Sequence, residues 1–160
     1  MSWQTRSNTP WGRIDKIIDN WLAERQELLI LLYRLLKVYP FNEEDLESDM
    51  EMLQRFNQIL IDYVSAGHFE IFEKISEASE YTNNAGLNRD LLVNILRTTM
   101  VAMDFANKYE DIQDYSLLKK DLSKLGEALA KRMDLEDELI QTYLDATTEL
   151  EQVTAIRKTG

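Results

Sequence analysis

Cysteine is absent from this 160-residue chain, and glycine and proline contribute only five and two residues. Without cysteine there can be no disulfide framework, no thiolate metal site and no cysteine nucleophile, and the composition suits a reducing compartment. Both prolines, Pro10 and Pro40, lie near the beginning, so long helices can form throughout the sequence after Phe41. With so little turn-forming material, a fold of many short strands is not expected.

Long apolar segments are also missing. The opening sequence, MSWQTRSNTPWGR, lacks the apolar run of a signal peptide. The longest apolar run, from Leu28 to Tyr33, is far too short to cross a bilayer. We therefore expect a soluble, cytoplasmic protein without a membrane partner. Hydrophobic residues make up 44% of the chain and charged residues 29%, which is ordinary for a single globular domain.

Positive charge is scarce, because 18 lysines and arginines face 29 aspartates and glutamates, for a net charge of −11. A protein that binds DNA or RNA neutralises phosphates with lysine and arginine, so direct nucleic-acid binding is not predicted. An acidic chain suits a basic protein partner, whose approach its electric field would accelerate. The same charge could instead serve solubility alone.

Apolar residues recur at helical spacing, which predicts four amphipathic helices. These run from about Arg13 to Lys37, from about Asn42 to beyond Ile75, from after Asn88 to Tyr109, and from about Tyr115 to Glu149. Asn42 and Asp45 resemble a capping box, and the segment from Tyr81 to Asn88 is the clearest loop. Short connections predict an all-α, antiparallel up-and-down four-helix bundle with long second and fourth helices. The bundle would span residues 13–152, between a tail at 1–12 and a frayed tail at 153–160.

The centre of the second helix has two contrasting faces. Gly67 and His68 fall on its apolar face, whereas a second set of residues recurs at spacings of three and four on the opposite side. We call this second set the outer strip: Asp62, Ser65, Ala66, Phe69 and Glu73. Because Ser-Ala-Gly is a poor helix-forming run, we expect close approach by a neighbouring helix at Gly67 or by a partner protein over Ala66. The alternative is a kink, or a break into two helices.

Four polar residues fall on or beside the core faces of the helices: Arg25, His68, Arg132 and Glu136. Buried charges must be paired and hydrogen-bonded, so we expect one internal network that fixes the helix register. Dimetal bundles use Glu-x-x-His pairs, whereas this chain has a single histidine, and no catalytic triad or phosphate loop is indicated. We predict no enzyme activity, no cofactor and no metal. The alternative is a metal- or small-molecule-binding interior formed by Arg25, His68 and Glu136.

Three stretches resemble the Rsd/AlgQ family of bacterial anti-sigma regulators. They are IDNWLAERQELL from Ile18, LIDYVSAGHFEIFEKI from Leu60 and LGEALAKRMDLEDELI from Leu125. The first contains Trp21, Leu22 and Arg25 of the family's helix-one signature. The second matches the central helix-two motif almost throughout, and the third contains Arg132 and Glu136. Residues 77–121 carry little of the resemblance.

The resemblance implies a four-helix protein that binds the C-terminal domain of the primary sigma factor of RNA polymerase. Covering this basic, −35-reading domain would keep sigma from core polymerase and from the promoter. The family's helix-two surface corresponds to Asp62, Ser65 and Phe69, with Ala66 between them, and Asp19 and Leu22 of the first helix are expected beside it. A monomer is favoured. A family member that has moved to another protein partner is the remaining possibility.

Overall fold

Helices account for every regular element in the part of the chain that the structure describes. The structure is a computed structural model that describes the backbone of residues 11–79, 85–111 and 114–159. The side chains of residues 68–69, 78–79, 85–88 and 151–159 lie outside the description. The elements are α1 (Gly12–Val38), α2 (Leu46–Ala66), a π-helical turn (Gly67–Ile71), α3 (Phe72–Ser79), α4 (Ala85–Lys108) and α5 (Leu118–Thr159). The prediction of an all-helical fold is confirmed.

Two helices begin later than the sequence suggested, because side-chain-stabilised turns precede them. The Asp45 N–H donates to Asn42 Oδ1 at 3.0 Å, so Asn42 closes a turn and α2 starts only at Leu46. Likewise, the Ser116 N–H donates to Asp114 Oδ1 at 2.9 Å, and α5 starts at Leu118. At its other end α5 continues to Thr159, past the predicted end at Glu149.

The long second helix is continuous but not uniform. Gly67 (φ −55°, ψ −47°) and Phe72 (φ −65°, ψ −39°) both have right-handed helical backbones, so the chain does not break between α2 and α3. The Phe72 N–H donates to the carbonyl of Gly67, five residues back, which is the hydrogen bond of a π-helix. The expected irregularity at Ser-Ala-Gly is therefore a π turn, a feature that often accompanies functional sites.

The core runs through the middle of the helical assembly. Helix α1 packs on α2 and α5, α4 packs on α5 and α2, and α3 packs on α5 and α4. Aromatic pairs connect neighbouring helices. Phe56 of α2 contacts Phe105 of α4 edge-on, with 6.0 Å between the ring centroids, and Trp21 of α1 stacks on Tyr63 of α2 at 5.4 Å. Helix α2 thus lies between α1 and α4, and its π turn contacts α1. Within the described ranges, none of the helices combines the length and apolar character needed to span a membrane.

Candidate docking surface and the network beneath it

A buried carboxylate, Glu136 of α5, is the centre of the internal polar network. Arg132, one turn earlier, donates from Nε to Glu136 Oε2 at 2.9 Å. The Tyr63 hydroxyl of α2 donates to Glu136 Oε1, and Arg25 Nη1 of α1 lies 3.6 Å from the same oxygen. Arg132, Tyr63 and Glu136 are completely buried. The network therefore joins three helices through one carboxylate, as a paired and hydrogen-bonded buried charge must.

Arg132 extends the network to α4. Its Nη1 donates to the Thr99 hydroxyl at 2.6 Å and to the Thr98 hydroxyl at 3.2 Å. Its guanidinium carbon lies 5.6 Å from the centroid of the Tyr63 ring and 5.8 Å from that of Phe72, distances at which cation–π attraction operates. Arg132 thus contacts groups on α2, α3, α4 and α5, so it fixes how these helices sit against each other.

Burial and neighbouring charges shift the pKa values of two members of the network. Burial raises the pKa of Glu136, while Arg132, Tyr63 and Arg25 act in the opposite direction. Burial, and then the charge and hydrogen bond of Glu136, raise the pKa of Tyr63 far above its usual range, so this hydroxyl remains a neutral donor. Among the described residues, no group of three or more histidines and carboxylates is arranged to hold a metal ion.

The structure brings together Arg25, Arg132 and Glu136 of the four residues predicted for the network. The His68 side chain lies outside the described residues. Arg25 stands at the edge, where its closest partner is the exposed Asp137 at 2.8 Å. The prediction from sequence omitted Tyr63, whose hydroxyl donates to Glu136. It also missed the contribution of Thr98 and Thr99, whose hydroxyls on the inner side of α4 were the available signal.

The π turn rests directly on this network. A Cβ atom at Gly67 would lie 3.1 Å from Cζ2 of Trp21, 3.2 Å from Nη2 of Arg132 and 3.3 Å from Cζ of Phe72. Trp21 is itself anchored, since its Nε1 donates to the carbonyl of Tyr63 at 3.2 Å. The close approach expected at Gly67 therefore comes from α1 and α5, and a side chain there would require these neighbours to move by a few tenths of an ångström.

The outer strip faces away from the network. Asp62 is exposed and accepts a hydrogen bond from Gln58 Nε2 at 3.1 Å. Ser65 and Ala66 are half-buried, and Glu73 is exposed. The side chain of Phe69 lies outside the described residues. On α1, Asp19 is exposed and Leu22 is half-buried. The strip therefore offers small and acidic side chains above a rigidly held π turn.

Carboxylates gather on the side of α2 that faces α1. Burial, and then the negative charges of Asp62, Glu27 and Glu70, raise the pKa of Glu24. We call these four residues, from α1, α2 and the π turn, the acidic face. The only one of them with an ion pair among the described residues is Glu27, whose Oε1 lies 3.0 Å from Arg55 Nη2. Sequence spacing missed Glu24 and Glu70, because their proximity depends on how two helices pack.

Known proteins identify the family. A family model described as "Regulator of RNA polymerase sigma(70) subunit, Rsd/AlgQ" matches residues 2–144. This chain belongs to the Rsd/AlgQ family. The Regulator of sigma D of Enterobacter sp. (strain 638) is 36% identical over 138 residues, which cover 84% of each protein. The Regulator of sigma D of Shigella boydii serotype 4 (strain Sb227) is 35% identical over 136 residues, covering 82% of this chain and 86% of the relative. The family suggested by the three stretches is confirmed, and the match includes residues 77–121.

Proposed function

We propose that this protein is an anti-sigma regulator. It binds the C-terminal domain of the primary sigma factor and keeps that domain from core RNA polymerase and from the −35 promoter element. The observation that carries the proposal is membership of the Rsd/AlgQ family, whose model is described as a regulator of the sigma(70) subunit. Regulation by binding requires no chemistry, so the chain acts as a binding protein and not as an enzyme.

The acidic face supports a basic partner. Glu24, Asp62 and Glu70 have no cationic partner among the described residues, and their mutual repulsion helps to raise the pKa of Glu24. A positively charged domain that docks there relieves this repulsion and gains charge-assisted contacts. With a net charge of −11 behind it, the face also accelerates encounter with such a domain.

The outer strip supplies the specific contacts in this proposal. Asp62 pairs with a basic side chain of sigma, and the small Ser65 and Ala66 let the partner approach the helix backbone closely. Phe69 contributes an apolar contact of the kind that dominates binding energy in many interfaces. Asp19 and Leu22 of α1 lie at the edge of the contact.

The proposal extends to architecture and location. The helical rods are α1, the continuous α2–π turn–α3 unit, α4 and α5. We place them in an antiparallel up-and-down bundle that acts as a monomer in the cytoplasm, where RNA polymerase works. No described residue favours the alternative of a ligand-binding interior, because Glu136 is engaged by Arg132 and Tyr63, and Arg25 pairs with Asp137.

Replacing Asp62 with alanine tests the strip. Asp62→Ala should weaken binding to the isolated sigma C-terminal domain by about 1–3 kcal/mol in a calorimetric titration. The melting temperature should hardly change, because Asp62 is exposed and makes only a surface hydrogen bond to Gln58.

Asp145→Ala is the matched control. Asp145 is exposed on α5 and accepts the same kind of hydrogen bond, from Gln141 Nε2 at 2.9 Å, four residues earlier. This variant removes the same charge and the same local contact, yet should bind sigma like the unmodified protein. Equal weakening by both substitutions would show that only the overall charge matters. A loss of folding in Asp62→Ala would show that Asp62 is structural.

A further inference from the structure

An apolar groove of about 550 Å³ lies between α3 and α4. It is lined by Phe72, Glu73 and Ser76 of α3 and by Arg89, Leu92, Val93 and Leu96 of α4. Phe72 is the residue whose inner side contacts Trp21 and Arg132. The floor of the groove is therefore held by the same packed network that supports the π turn.

The α4 wall of the groove continues into an exposed apolar stripe. Val93, Leu96 and Met100 are 46%, 45% and 62% exposed and follow each other at spacings of three and four along the helix. Side chains at this spacing share one face. Contiguous apolar surface of this kind on a soluble protein commonly marks an interaction site.

The groove adjoins the outer strip. Glu73 is the last member of the strip and also lines the groove. The backbone between Asp62 and Glu73 is helical without interruption, through the π turn. A partner that lies along the strip toward α3 must therefore reach the groove.

The described side chains of the acidic face and the outer strip supply charge and small polar contacts but little apolar area. Specific interfaces bury about 1,200–2,000 Å² in total, and their centres are depleted of charged residues and enriched in apolar ones. The described members of the strip and the face are carboxylates, a serine and an alanine. The groove is an exposed apolar surface that borders them, because Glu73 belongs to both.

We infer that the groove between α3 and α4 is the apolar half of the sigma-docking surface, and that it receives the apolar side of an amphipathic helix of the sigma C-terminal domain. This inference rests on the proposed function. Charge complementarity agrees with it, because the exposed Glu73 on the α3 rim suits a basic side chain of a basic domain. Exposed Arg89 on the α4 rim favours an acidic or neutral side chain opposite it.

Leu96→Glu tests the inference in the full chain, by calorimetric titration with the isolated sigma C-terminal domain. A carboxylate in the groove should weaken binding about tenfold or more, because it would be desolvated without a partner. Leu117→Glu is the matched control, since Leu117 is 50% exposed, close to the 45% of Leu96. Leu117 does not line the groove, because it lies after the C-terminal end of α4 and just before α5. Both variants should melt like the unmodified protein, because both positions are well exposed.

Three results would overturn the inference in different ways. If Leu96→Glu binds as Leu117→Glu does while Asp62→Ala is weakened, the proposed function stands and the groove is not part of the interface. If the unmodified protein does not bind the sigma domain, the proposed function fails first. If light scattering shows a dimer that Leu96→Glu converts to a monomer, a second copy of this chain occupies the groove.

Discussion

At the scale of single residues, the structure depends on a glycine where helix propensity would favour almost any other amino acid. Gly67 lies where the π turn meets Trp21 and Arg132, both of which are held by further contacts: Trp21 by the Tyr63 carbonyl and Arg132 by Glu136 and Thr99. Both neighbours are thus restrained by buried hydrogen bonds. A methyl group at this position is therefore resisted by the whole network, not by one side chain.

We predict that Gly67→Ala lowers the free energy of unfolding by about 1–2 kcal/mol, measured by urea denaturation. The gain in helix propensity, about 1 kcal/mol, is outweighed by contacts of 3.1 and 3.2 Å that the new Cβ would make with Trp21 and Arg132. The control is Gly126→Ala on α5, whose new Cβ would be 3.8 Å from Leu32, an ordinary contact. Gly126→Ala should stabilise the protein by about 0.5–1 kcal/mol. Stabilisation by both substitutions would show that the π turn is loosely packed.

The polar network was partly predictable from sequence at this scale. Arg132 and Glu136 are four residues apart on the inner side of one helix, a spacing that brings side chains together, and the cost of burying a charge demands a partner. Tyr63 was not predicted as a partner, because a tyrosine on an apolar stripe reads as packing until a carboxylate is found opposite its hydroxyl. Only the packed structure shows that the Tyr63 hydroxyl lies against the Glu136 carboxylate.

At the scale of elements, the acidic face is formed by the packing of α1 against α2. Glu24 and Glu27 come from one helix and Asp62 from the other, so no single-helix pattern reveals the cluster. Periodicity did predict the helical segments, but as four helices, whereas the described residues form five α-helices and a π turn. It could not predict the π turn, because the apolar residues before and after it keep the spacings of three and four of an ordinary helix. It also could not predict the turns before α2 and α5, where Asn42 and Asp114 act through local hydrogen bonds.

We predict that the acidic face makes sigma binding dependent on pH. Burial and the neighbouring carboxylates hold the pKa of Glu24 above its ordinary value of 4.5, and a basic partner favours the charged carboxylate. Affinity should therefore be greatest at neutral pH and fall as the pH drops through this raised pKa, measured by titration at a series of pH values. Glu24→Gln should weaken neutral-pH binding severalfold and reduce this pH dependence.

The effect of Glu24→Gln on stability should be opposite in direction to its effect on binding. A carboxyl group whose pKa is raised on folding is less favourable in its charged form in the folded state, at pH values above that pKa. Glu24→Gln should therefore leave the melting temperature at neutral pH unchanged or slightly higher. Glu127→Gln, at an exposed position of α5, controls for the loss of one charge and should change neither binding nor its pH dependence. A marked drop in stability of Glu24→Gln would show that Glu24 has a structural partner.

At the scale of the whole molecule, the proposed docking surface combines three kinds of contact. Carboxylates on the α1 side of α2 supply charge, the outer strip supplies small side chains, and the groove beside α4 supplies apolar area. Composition alone pointed to a basic partner and away from nucleic acid, whereas the identity of the partner came from three stretches of family-like sequence. The groove was not predictable, because outward-facing apolar residues such as Met100 look like ordinary scatter in a linear sequence.

The most direct test of the central claim is a binding titration between the full chain and the isolated C-terminal domain of the primary sigma factor, at about 0.05 M and about 0.5 M salt. We expect a complex at micromolar concentrations or below in low salt, with affinity that falls clearly at high salt because opposite charges meet at the acidic face. Absence of a complex at micromolar concentrations in low salt would contradict the account. Affinity that does not change with salt would contradict the role of the acidic face.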